Sequence, residues 1–128
     1  MTIDRQVLHG PGEGPGLPFS SAVRVGDLLF LSGQIGNVPG TRQLADGGIT
    51  GQTRQALENI KAVLAFAGSS LDRAVKCTVF LADIQDFAAM NAVYATYFPN
   101  DPPARSTVAA KGLAGGARVE IECIATVE

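Results

Sequence analysis

The sequence predicts an α+β fold: one mixed β-sheet with two helices packed on one of its faces. Three observations lead there. Apolar alternations of period two stand near both ends of the chain and once in its middle. Two longer stretches between them repeat their apolar residues at helical period. Gly or Pro punctuates nearly every junction. With 128 residues, 46% of them apolar, the chain suits one domain with one core over residues 1–128.

The segment 10–18, GPGEGPGLP, reads as a loop, and its glycines make no dinucleotide fingerprint because no strand precedes them. Ala22–Val25 and Leu28–Ser32 flank Gly26-Asp27, the pattern of a β-hairpin. Gly33 to Gly48 is loop-like, with Pro39-Gly40 and Gly47-Gly48 as turn signals. The first helix is expected over Ile49–Ala67. Ala56, Leu57, Ile60, Val63, Leu64 and Ala67 form its apolar stripe, Arg54, Glu58 and Lys61 lie outside it, and Gly68 stops it. Ala74–Leu81 alternates Val75, Cys77, Val79 and Leu81 against Lys76, Thr78 and Phe80, as a strand with one apolar face does. Asp83 is expected to cap a second helix with Phe87, Met90, Tyr94 and Tyr97 on its inner side. Pro99 and Pro102-Pro103 prevent its continuation past Phe98. Arg105–Ala109 and Val119–Val127 complete the order β-β-α-β-α-β-β, with Gly112, Gly115 and Gly116 between them.

Two helices cover only one face of a sheet. Yet Leu28 to Leu31 is apolar on both faces, and Phe80 and Ile124 oppose the faces of Val79 and Cys123. At about 25 cal/mol per Å², covering the second face is worth several kcal/mol per subunit, so self-association is expected.

Composition narrows the chemistry. The net charge is −2 and no Lys/Arg cluster exists, which speaks against a nucleic-acid partner. No apolar run is long enough to span a membrane. Met1 to Gly16 lacks the basic and apolar regions of a secretory signal. Cys77 and Cys123 form no CxxC pair and read as small buried hydrophobes with free thiols, which suits a cytoplasmic location. His9 is the one histidine, so neither a zinc site nor a Ser-His triad is expected.

A few polar residues on strands remain. Arg105 follows Pro102-Pro103-Ala104 on a strand, where a guanidinium grips a carboxylate through two parallel hydrogen bonds. Taken alone, it reads first as one half of an intersubunit salt bridge. Glu120 and Glu122 project opposite Val119, Ile121 and Cys123, and pattern does not choose between them. A carboxylate on a face destined for burial needs a partner or a purpose. Ser32 stands at a strand end, where turn chemistry is the ordinary reading. Asn91 on the second helix and Thr107 on the Arg105 strand are weaker candidates.

Together these residues form a pattern. Pro103-Ala104-Arg105-Ser106-Thr107-Val108, followed by Val119-Glu120-Ile121-Glu122, resembles the signature of the reactive-intermediate deaminase (Rid, YjgF-type) family, also labelled endoribonuclease L-PSP. Leu31-Ser32-Gly33-Gln34-Ile35 resembles its early strand motif. Gln55-Ala56-Leu57-Glu58-Asn59-Ile60 and Phe87-Ala88-Ala89-Met90-Asn91 resemble its two helices. The resemblance implies a chorismate-mutase-like fold and a barrel-forming homotrimer with a cleft at each subunit interface. It implies hydrolysis of 2-iminobutanoate- and 2-iminopropanoate-type imines or enamines, released by pyridoxal-phosphate enzymes, to keto acids and ammonia, with no cofactor. By matching position, Arg105 would bind the substrate carboxylate and Glu120 would position or activate water. Ser32, Phe19, Asn91 and Thr107 would line the pocket. Phe19 stands where many members carry Tyr, and Thr107 where many carry Cys, so a hydroxyl and a thiol are absent here. Three other readings fit the same residues: a non-catalytic binder of small carboxylates or chaperone-like trimer, a deaminase of a larger enamine, and a ribonuclease or translation inhibitor. The acidic balance and the single histidine disfavour the last.

Overall fold

A computed structural model describes residues 3–127. Seven strands form one sheet: β1 (Arg5–Leu8), β2 (Ala22–Val25), β3 (Leu28–Leu31), β4 (Gln34–Ile35), β5 (Ala74–Leu81), β6 (Ala104–Ala109) and β7 (Val119–Thr126). Their order is β1-β2-β3-β7-β5-β6, and β4 adds to β7. All pairs are antiparallel except β5 with β6. A parallel pair needs a crossover, which the second helix, α2 (Phe87–Tyr97), supplies. The longer helix α1 (Gly48–Phe66) lies between β4 and β5 in the chain. The mixed sheet with two helices therefore stands as expected.

One face of the sheet is the core. Leu29, Cys77, Val79, Leu81, Val119, Ile121 and Ala125 are all fully buried, beneath Ala56, Leu57, Ile60 and Leu64 of α1 and Met90 of α2. Helix α1 ends as Gly68 allows. This residue takes φ +82°, Gly68 N–H donates to Ala65 O at 3.2 Å, and Ser69 N–H donates to Leu64 O at 2.8 Å, a Schellman motif. The opposite face is open, with Leu28, Phe30 and Val108 each at least 40% exposed. It carries the second apolar face that the alternation of the strands implied.

Several boundaries differ from the sequence reading. Strand β1 lies in a stretch read only for its lack of a signal peptide, and it forms by pairing Arg5–Leu8 with Val25–Ala22. Strand β4 and the bridge between Asn37 and Leu44 structure the expected loop Gly33–Gly48. Val75 was expected on the core face but is 46% exposed, because a register shift between Ala74 and Lys76 tips it outward. Asp83 caps a 3-10 turn, Ile84–Asp86, by accepting from Gln85 N–H at 2.9 Å, and α2 begins only after it. Along α2, Met90 and Tyr94 are buried as expected. Phe87 is 37% exposed, and Val93 joins the buried set instead.

Helix α1 also fixes the bend that follows β3. Asn59 Nδ2 donates to the carbonyls of Ile35 and Asn37, both at 3.0 Å, and Gln55 Nε2 donates to Asn59 Oδ1 at 2.8 Å. Gly36 lies against the helix backbone, where a Cβ would come within 2.3 Å of Gln52 O. Gly36→Ala is therefore expected to cost about 1–3 kcal/mol in urea unfolding, the range of an overpacked core site. An unchanged midpoint would show that the helix yields freely at this contact.

Candidate active site

The two strands that carry the strongest candidates present them to different faces. Arg105 on β6 pairs with Cys77 on β5, and Thr107 pairs with Val79. Paired residues share a face, so Arg105 and Thr107 lie on the helix side. Glu120 on β7 pairs with Phe80, and Glu122 with Thr78, which puts both carboxylates on the open side. Within one chain, Arg105 and Glu120 thus point away from each other.

On the helix side, α2 builds a cradle for Arg105. Its guanidinium carbon lies 4.7 Å from the Tyr94 ring centroid and 5.5 Å from that of Phe87. Phe87 and Tyr94 are two helical turns apart, so one face of α2 offers both rings. Among the described residues no carboxylate lies within ion-pair distance of Arg105. The aromatic faces hold the cation without using its hydrogen-bond donors, which stay available to a ligand. A cavity of about 300 Å³ opens here, lined by Asn91, Tyr94, Phe98, Pro102, Pro103 and Arg105 among others. Asn91 and Arg105 thus share one cavity. The Thr107 hydroxyl is buried and has no hydrogen-bond partner. The Tyr94 hydroxyl is likewise buried without a partner, and burial pushes its pKa up, so it stays neutral.

On the open side, Glu120 stands half-buried over the bend after β3. A Cβ on Gly33 would come within 3.1 Å of the Glu120 Cγ and closer still to its carboxylate, so only glycine leaves room for this side chain. Burial is the first cause, and repulsion from Glu122 the second, that raises the Glu120 pKa above the ordinary carboxylate range. Glu122 itself is exposed. Ser32 precedes this bend. Its N–H donates to Ser21 O at 3.0 Å and its hydroxyl donates to Ser20 O at 2.5 Å. Ser32 and Phe19 line a second, larger cleft of about 540 Å³ together with Val23 and Phe30. Phe19 is 52% exposed.

The candidates therefore fall into two groups: Arg105, Asn91 and Thr107 on the helix side, and Ser32, Phe19 and Glu120 on the open side. Sequence reasoning treated Phe87 and Tyr94 as core residues of α2 and missed them as the seat of Arg105. Their spacing of seven, with a ring at the poorly buried first turn, is the signal that was present. The two cysteines, 46 residues apart in sequence, meet across the β5–β7 ladder with their sulfurs 2.7 Å apart. Both are free and buried, as the composition suggested. The contact with Cys123 lowers the Cys77 pKa, while the same contact and burial push that of Cys123 up.

A mixed sheet with helices on one face, an arginine without an ion-pair partner among the described residues at one edge and a carboxylate shielded behind a glycine defines the molecule as a small α+β protein. Comparison with known proteins specifies it further. The family model described as Endoribonuclease L-PSP matches residues 14–127, and the chain belongs to that family. A RutC family protein of Pyrococcus horikoshii is 49% identical over 111 residues, which cover 87% of this chain and 88% of the relative. The mouse protein named 2-iminobutanoate/2-iminopropanoate deaminase is 44% identical over 108 residues, 84% of this chain and 80% of that one. Among solved structures, RidA from a Psychrobacter bacterium superposes with a TM-score of 0.86 at 38% identity, covering 94% of this chain and 97% of that one. E. coli TdcF with bound serine superposes with a TM-score of 0.86 at 35% identity, covering 94% and 98%.

The raised Glu120 pKa has a consequence for stability. A carboxylate whose folded pKa lies above its unfolded value favours folding while protonated, and that stability is lost as pH rises through the folded pKa and the buried group ionises. Glu120→Gln is expected to melt above the parent protein at pH 7, with the gap closing below about pH 4, where both states are protonated. A gap that stays constant with pH would mean that Glu120 feels no net burial penalty.

Proposed function

We propose that this protein is a deaminase of 2-imino acids, hydrolysing 2-iminobutanoate- and 2-iminopropanoate-type intermediates from pyridoxal-phosphate enzymes to 2-keto acids and ammonia. The observation that carries this reading is the separation of Arg105 from Glu120 onto opposite faces of one sheet. A cleft that uses both needs two copies of the chain, Arg105 with Asn91 and Thr107 from one, and Glu120 with Ser32 and Phe19 from the next. The open apolar face, with Leu28, Phe30 and Val108 exposed, gives the copies a reason to associate. A homotrimer in which the sheets form a central barrel places one such cleft at each boundary. The names of relatives such as the mouse 2-iminobutanoate/2-iminopropanoate deaminase support the chemistry.

In this reading Arg105 binds the substrate carboxylate through its free donors and fixes the imine in place. Glu120 takes a proton from water as the oxygen attacks the imine carbon and passes it to the nitrogen. It then relays the proton of the resulting hydroxyl to the same nitrogen as the carbonyl forms and the C–N bond breaks, so both water protons leave with the nitrogen as ammonia. Burial raises its pKa above the ordinary carboxylate range, which favours its taking up a proton. The imine carbon is already electrophilic, so no cofactor is invoked. A cytoplasmic location belongs to the same proposal. It is supported by the free thiols of Cys77 and Cys123, although relatives carry chloroplastic and mitochondrial names. Among the described residues no helix is long and apolar enough to cross a membrane.

The test supplies 2-imino acids from an amino-acid oxidase with catalase and follows keto acid against a trapping nucleophile. The parent protein is expected to accelerate hydrolysis. Arg105→Ala is expected to lose about 10- to 100-fold in kcat/KM, the worth of a charge-assisted hydrogen bond pair, and more than Glu120→Ala. Mixing the two inactive variants after dissociation should restore part of the activity, since some clefts then combine an intact Arg105 with an intact Glu120. No restoration would place both residues in one chain's site. Binding of keto acids that needs Arg105, without turnover, would make the protein a binder of small carboxylates. In sedimentation the parent protein is expected at the mass of three chains, and Phe30→Asp should shift it toward one. A parent protein that sediments as a monomer at micromolar concentration would remove the shared cleft.

A further inference from the structure

The thiols of Cys77 and Cys123 take no part in the proposed hydrolysis. They are the chain's two cysteines, so any disulfide within one chain joins this pair. The two residues are Cα partners on the antiparallel strands β5 and β7. Directly opposed residues of such strands stand about 4.5 or 5.5 Å apart at Cα, depending on whether they share ladder hydrogen bonds. Both separations fall within the range that a disulfide spans, so the backbone need not move to form one. The sulfurs meet at 2.7 Å and both thiols are free.

The surroundings of the two sulfurs differ. Cys77 is also the Cα partner of Arg105 on β6, so the guanidinium side chain stands on the same face one strand away. The Cys123 contact is the first cause that lowers the Cys77 pKa. Burial opposes it, while the Tyr94 side chain and the charges of Arg105 and Lys76 act in the lowering direction. For Cys123 the same contact, burial and the neighbouring Glu122 all push upward. Cys77 is therefore the stronger nucleophile of the pair. Both residues are closed to solvent, Cys77 at 0% and Cys123 at 2% exposure. Arg105 and Tyr94, however, form part of the wall of the 300 Å³ cavity on the helix side. A reagent as small as hydrogen peroxide reaches Cys77 when that wall parts locally, without unfolding of the chain.

We propose that Cys77 and Cys123 are a site of reversible oxidation, at which a hydroperoxide converts the two thiols into a cross-strand disulfide. The Cys77 sulfur attacks one oxygen of the hydroperoxide. The S–O bond forms as the O–O bond breaks, and the departing oxygen takes up a proton to leave as water, or as an alcohol from an organic hydroperoxide. Cys77 is then a sulfenic acid. The Cys123 sulfur attacks it, the S–S bond forms, the S–O bond breaks, and hydroxide leaves as water with the Cys123 proton. Two thiols have lost two hydrogens, and the hydroperoxide has been reduced by two electrons. A dithiol reductant returns both and is itself oxidised to a disulfide. The site is independent of the deaminase reading.

The experiment treats the folded, reduced protein with hydrogen peroxide at neutral pH and stops the reaction with catalase. Free thiols are then alkylated in urea and the digested chain is read by mass spectrometry. The thiol count is expected to fall from two per chain to none, with a peptide linked through Cys77 and Cys123 and a mass lower by two hydrogens. Dithiothreitol should restore both thiols. The rate should stay level in urea below the unfolding transition. In Cys123→Ala the reaction should stop at Cys77 as a sulfenic acid, trapped as its dimedone adduct, and Cys77→Ala should give no adduct at Cys123. The linked peptide from the parent protein decides the site even where an alanine variant fails to fold. Thiols that survive peroxide, a disulfide between chains, loss to sulfinic acid without the linked peptide, or a rate that climbs with the unfolded fraction each overturn the proposal. An adduct at Cys123 instead of Cys77 overturns the order of attack.

Discussion

Everything in this molecule depends on the fact that a strand alternates its side chains while helices cover only one side of the sheet. Strand β7 makes the point. Val119, Ile121, Cys123 and Ala125 point into the core and are buried, and Glu120, Glu122 and Ile124 necessarily point the other way. A one-residue slip would bury two carboxylates beneath α1, so the register of β7 against β5 is fixed by the cost of desolvating charge. The same register decides which candidate residues can meet within one chain and which need a second copy.

Each group of candidates is set by a different kind of support. Arg105 owes its position to packing: two aromatic rings of α2 flank a guanidinium and demand none of its hydrogen bonds. An ion pair would have held it as firmly but would have occupied the donors that a ligand needs. Glu120 owes its position to the backbone. The absence of a Cβ at Gly33 admits the carboxylate, and Asn59 of α1 holds the following carbonyls in place. The burial that raises the Glu120 pKa makes the ionised carboxylate a stability cost of this placement.

The open face joins these features. Its exposed Leu28 and Phe30 lie on the same side of the sheet as Glu120 and Ser32. The two small thiols of Cys77 and Cys123 meet across the buried face of the β5–β7 ladder, where they pack as small hydrophobes.

The sequence by itself determined the periodic elements. The stripe Ala56–Leu64, the alternation in Ala74–Leu81 and Val119–Val127, the turn at Gly26-Asp27 and the stop at Gly68 are local signals, and local geometry answers them. It also marked Arg105, Glu120, Ser32, Phe19, Asn91 and Thr107 as candidates through a resemblance to the family to which the chain belongs. It did not reveal β1 or β4, because four- and two-residue strands carry too little periodicity to register before a partner edge is known. Nor could it foresee the outward turn of Val75, which a bulge against β7 creates. Only the tertiary structure decided that Tyr94 and Phe87 cradle Arg105, that Cys77 faces Cys123, and that Arg105 and Glu120 lie on opposite faces. The physical reason is that pairing register and face are relations between distant segments. Alternation fixes which residues of a strand share a side, but the pairing of strands decides which side that is.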